Sequence, residues 1–62
     1  MSNSDDLKKA RSRLVGERRA FAKVLAGPCE PGKSEEARAA FIAVQSAIEA
    51  IDRALDDEES RL

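Results

Sequence analysis

Both prolines and two of the three glycines of this 62-residue chain fall within six consecutive residues, Gly27-Pro28-Cys29-Glu30-Pro31-Gly32. No other strong breaker cluster interrupts the sequence. Proline fixes φ and removes an amide donor, and glycine ends helices cheaply, so a cluster of this kind is a turn. The chain is thereby divided into two segments and one stiff connection.

The second segment carries the clearer pattern. Ala37, Phe41, Val44, Ile48, Ile51 and Leu55 step by 4, 3, 4, 3 and 4. Apolar residues at that spacing form one stripe along a helix and make a heptad seam. Ser34 is expected to cap this helix, with Glu35 and Glu36 at the positive end of its dipole. The spacing predicts a helix over about 34–59. In the first segment Leu7, Leu14 and Phe21 recur every seven residues, with Ala10 and Val24 between them and Glu17 interrupting the seam. Ser4, followed by Asp5 and Asp6, opens this segment, and Gly27-Pro28 closes it. A helix over about 4–26 is expected. Gly16 inside it costs roughly 1 kcal/mol against alanine, for which close approach of another helix is a candidate reason.

A short connection makes neighbouring helices antiparallel. Leu7 with Leu55, Leu14 with Ile48, and Phe21 with Phe41 then face each other at numbers that add to 62. Ala10 with Ile51 and Val24 with Ala37 add to 61. The expected hairpin core is therefore Leu7, Leu14, Phe21, Val24, Ala37, Phe41, Val44, Ile48, Ile51 and Leu55. Charge agrees: Lys8 to Lys23 holds seven bases and one acid, and Ser34 to Leu62 holds three bases and eight acids. Lys8, Lys9 and Arg11 are expected near Asp52, Asp56 and Asp57. Exposed pairs of this kind are worth about 0–1 kcal/mol and choose the pairing more than they strengthen it.

Two helices make one layer, and domains of this size usually add a metal, disulfides or a second subunit. A single cysteine and no histidine encode neither of the first two. Ser12, Val15, Gly16 and Ala20 on the first helix, and Ala40, Ile42, Ala47 and Ala54 on the second, form the candidate oligomer interface. The expected fold is all-α: one domain over 1–62, an antiparallel two-helix hairpin paired into a homodimeric four-helix bundle. In plan this resembles the Rop type of plasmid RNA-binding protein. The likeness is one of architecture without a shared motif, and it transfers neither RNA binding nor any residue's role.

Signals of chemistry are few. Gly27-Pro28-Cys29-Glu30-Pro31-Gly32-Lys33-Ser34 spells the phosphate-loop pattern G-x-x-x-x-G-K-[ST]. That motif needs a strand before it and a sheet around it, and here a helix precedes it. Gly27 as a helix stop, Gly32 at an unusual backbone angle and Ser34 as a cap explain the same letters. Nucleotide binding at Gly27–Ser34 is the remote alternative. The basic run Lys8, Lys9, Arg11, Arg13, Arg18, Arg19 and Lys23 is the nearer one, a nucleic-acid face, but no aromatic residue is interleaved for base stacking. Asp52, Asp56, Asp57, Glu58 and Glu59 read as a solvated helix end rather than a cation site. Cys29 reads as an inert loop thiol, since Glu30 raises rather than lowers its pKa. Glu17 on the seam is a candidate for fixing register or oligomer state.

No acid, base or nucleophile is set in a water-excluding pocket, so an enzyme is not expected, nor a cofactor or metal. The sequence has no apolar stretch near Met1, no lipidation signal and no membrane span, and a cytoplasmic location is expected. The function expected is that of a small interaction or regulatory module acting as a homodimer, with a further protein as its partner.

Overall fold

A computed structural model describes residues 3–28 and 30–60. Two α-helices account for almost all of it: α1 (Asn3–Ala26) and α2 (Pro31–Ser60). They pack against each other along their lengths, and no strand occurs among the described residues.

α1 begins at Asn3, one residue before the expected start, and carries Asp5 and Asp6 in its first turn and Lys23 in its last. Both placements complement the helix dipole. α2 begins at Pro31, three residues earlier than the spacing suggested. The Ser34 amide donates to the Glu30 carbonyl at 2.9 Å, so Glu30 accepts the first intrahelical bond and caps the helix. Pro31 occupies the first helical position, where its missing amide costs nothing and its fixed φ suits the helix. Ser34 therefore lies inside the first turn and is not the cap, and Glu35 and Glu36 fall beyond that turn.

The glycines also differ from expectation. Neither Gly27 nor Gly32 has a positive φ. Gly32 is an ordinary helical residue, and α1 closes through a bond from the Gly27 amide to the Val24 carbonyl at 3.3 Å. That is the tight three-residue closure common at helix ends.

The hairpin is a rod of 48 × 15 × 14 Å with a radius of gyration of 14.4 Å. A compact globule of this length has a radius near 11 Å. Its core is correspondingly thin: Ala37 and Ile48 are the only buried residues among those described, at 6% and 1% exposure.

Candidate functional site: the helix seam and its two flanks

The seam of α1 does not run where the sequence placed it. Its half-buried residues are Ser4, Leu7, Arg11, Leu14, Val15, Arg18, Phe21 and Leu25. Leu7, Leu14 and Phe21 are on it, as the heptad spacing requires. The intervening places belong to Arg11, Arg18 and Leu25, while Ala10, Glu17 and Val24 are exposed, Val24 at 45%. A residue three or four positions on from a seam leucine lies almost equally close to the stripe. Here the choice falls to the side that uses the larger Leu25 and the long arginine stems, whose charged ends reach the edge. Val24 is thus not a core residue, and Glu17 does not interrupt the seam.

Cross-helix hydrogen bonds explain why arginines are tolerated there. Arg11 on α1 donates through Nε to Oδ1 of Asp52 on α2, and through Nη2 to Oδ2 at 3.4 Å. Arg18 donates through Nη1 to Oε1 of Gln45 at 2.7 Å. At the open end Asn3 donates through Nδ2 to Oε1 of Glu58 at 2.8 Å. These pairs add to 63, 63 and 61, which brackets a register of 62. At 62 the levels are Leu7 with Leu55, Arg11 with Ile51, Leu14 with Ile48, Arg18 with Val44, Phe21 with Phe41, and Leu25 with Ala37. Ile51 and Ala37 are thus level with Arg11 and Leu25, not with Ala10 and Val24.

Arg11–Asp52 is the one ion pair among the described residues. Lys8 and Lys9 form none with Asp56 or Asp57. The hydrogen bond from Arg11, followed by its charge, lowers the pKa of Asp52, and the reciprocal bond raises that of Arg11. Both side chains keep more than two fifths of their surface in water. The pair therefore marks register rather than supplying much stability.

On α2 the seam residues Phe41, Val44, Ile51 and Leu55 are half-buried around the buried Ala37 and Ile48. The flanks of the seam are unlike. Gln45 and Asp52, which receive the arginines, lie on one side of the α2 stripe. Ala40, Ala47 and Ala54 lie on the other, and all three are half-buried. In an antiparallel pair of right-handed helices, the residues just before Arg11, Arg18 and Leu25 share the alanine side. Those residues are Ala10, Glu17 and Val24.

The eight residues expected to form an oligomer interface do not share one face. Ala20, Ala40, Ala47 and Ala54 border the alanine side. Val15 and Ile42, the latter 58% exposed, belong to the polar side. Ser12 and Gly16 are exposed on the remaining surface of α1. A Cβ built on Gly16 meets nothing within 4 Å, so no close helix approach within the hairpin accounts for this glycine.

The other signals acquire positions. Residues 31–34 of the phosphate-loop pattern are the first turn of α2, and residues 18–26 before it are helix. Among the described residues no strand adjoins them to form the cradle that motif uses. Of the seven bases in α1, Arg11 and Arg18 are turned toward α2. Lys8, Lys9, Arg13, Arg19 and Lys23 are exposed. Cys29 lies outside the described residues. Among the described residues there is no pocket and no cluster of three metal-ligating side chains. No described helix is long and apolar enough to cross a membrane. No family model, curated protein or solved structure matches the chain.

Proposed function

We propose that this chain is a non-catalytic interaction or regulatory module whose working form is a homodimer, two hairpins packed as a four-helix bundle. One observation carries the reading. The hairpin exposes 4880 Å², whereas a compact monomer of 6.7 kDa exposes about 3,900 Å². A standard protein–protein interface removes about 800 Å² from each partner, which brings the exposed surface per chain close to that value. The thin core points the same way, because burying Ala37 and Ile48 offsets little of the entropy lost in ordering two long helices.

Molar mass by light scattering over a dilution series tests this. A dimer dissociating at low concentration supports the module. A species of 6.7 kDa at every concentration, still fully helical, removes it.

A further inference from the structure

We infer that the second copy sits on the alanine side of the hairpin, turned end for end, with Glu17 of each chain paired to Arg13 of the other. The inference rests on the dimeric reading above and supplies the arrangement that reading leaves open.

The two long faces of the hairpin differ in chemistry. The polar side carries the Arg11–Asp52 and Arg18–Gln45 bridges, and its outer rim adds the charges of Lys8, Arg38, Glu49 and Asp56. On the alanine side α2 presents Ala40, Ala47 and Ala54, one every two turns, and α1 presents Ala10, Ala20 and Val24. Small side chains let a second helix approach closely. This is the face able to give up apolar surface, provided the charges it also carries, Arg13 and Glu17, are paired across the contact.

Symmetry then fixes the fit. Ala40, Ala47 and Ala54 are spaced evenly about Ala47. A two-fold axis across the helices at Ala47 lays α2 on its own copy antiparallel, Ala40 against Ala54 and Ala47 against itself. The register of 62 puts Val15 of α1 at that same level. The one axis therefore pairs residues of α1 whose numbers add to 30. Ala10 meets Ala20, and Arg13 meets Glu17, twice over. Alanine spacing on α2 and charge placement on α1 are independent features of the sequence, and one axis satisfies both. Its least favourable contact brings Glu36 near Glu58 of the second copy, twice over, with Lys33 a turn away from Glu36.

The other symmetric stacking has its axis along the helices and lays α1 on α2 of the second copy. Arg13 and Glu17 then face alanines with no opposite charge, and Asp6 faces Asp57. Charge complementarity selects the end-for-end dimer.

The test separates this arrangement from dimerisation itself. In a Cys29→Ser background, Ala47→Cys is expected to oxidise to a covalent dimer, and Ile42→Cys, on the polar side, is not. Glu17→Arg and Arg13→Glu are each expected to weaken self-association at least about tenfold, because each sets like charges together across the axis. An equimolar mixture of these two variants is expected to form a 1:1 heterodimer about as tight as the parent, since both cross pairs are then opposite in charge. A pairing confined to one helix is not rescued by mixing. A dimeric parent that fails to cross-link at position 47, or variants whose mixture is no tighter than either alone, overturns the arrangement and leaves the dimer standing. A parent that is monomeric throughout overturns both.

Discussion

Arg11 and Asp52, 41 positions apart in the chain, are joined by two hydrogen bonds across the hairpin. The arginine occupies a place on the α1 seam that an apolar residue would ordinarily fill. It does so because its stem can lie over the seam while its charged end reaches a carboxylate on the edge of α2. The same solution recurs seven residues on, where Arg18 reaches Gln45.

The Asp52 carboxylate has its pKa lowered by that hydrogen bond and by the charge of Arg11. Its folded-state value lies below its unfolded one. The stability it contributes is present above the unfolded value, near pH 4, and is lost as pH falls through the lowered one. Thermal unfolding followed between pH 2 and 7 should show a smaller acid-induced decline in Asp52→Asn than in the parent. Added salt should shrink the difference, since the pair is exposed.

Ile48, at 1% exposure, is the most deeply buried side chain. Ile48→Ala should cost about 2–5 kcal/mol by chemical denaturation, the range for cavities in packed cores. Ile42→Ala, at a position 58% exposed, should change stability by no more than about 0.5 kcal/mol. Equal effects at the two positions contradict the placement of the seam.

Gly16 lies in the interior of α1 with open space where a Cβ would go. Gly16→Ala should therefore stabilise by up to about 1 kcal/mol through helix propensity. Gly16 is away from the alanine side, so the molar mass should not change. A Gly16→Ala variant that loses self-association places the interface elsewhere.

Arg18 stands level with Val44. Arg18→Leu should raise the unfolding midpoint, because an apolar side chain there continues the stripe and only an edge hydrogen bond is lost. Glu17→Leu, off the seam, should do no comparable good to the hairpin itself. Circular dichroism melts of the two variants at equal concentration compare them directly.

The exposed bases of α1 lie on the half of the helix turned away from α2 with no aromatic side chain among them for base stacking, and Arg11 and Arg18 are engaged by α2. Titration with short RNA and DNA at two salt concentrations should show no steep loss of affinity with salt. A steep salt dependence would instead assign α1 to phosphate contacts.

The hairpin itself was legible from the sequence. The turn cluster at residues 27–32 and the heptad spacing of α2 were enough to define two helices and a register near 62. The α1 seam was misplaced by one residue at Ala10, Glu17 and Val24, the first two because Arg11 and Arg18 were not counted as seam residues. Apolar spacing alone cannot see a stem that packs and a head that escapes to a partner 41 positions away. The start of α2 was missed for a similar reason: Pro31 reads as a breaker and also serves as a first helical residue. The interface residues were gathered by size and spacing, and only the register between the helices separates Ala40, Ala47 and Ala54 from Ile42.

The most direct measurement is the thermal unfolding midpoint of the full-length chain across a hundredfold range of concentration. If the rod is completed by a second copy, the midpoint rises with concentration, because association and folding are coupled. A midpoint independent of concentration, with a mass of 6.7 kDa throughout, would show that one hairpin is stable alone and that its alanine side needs no partner.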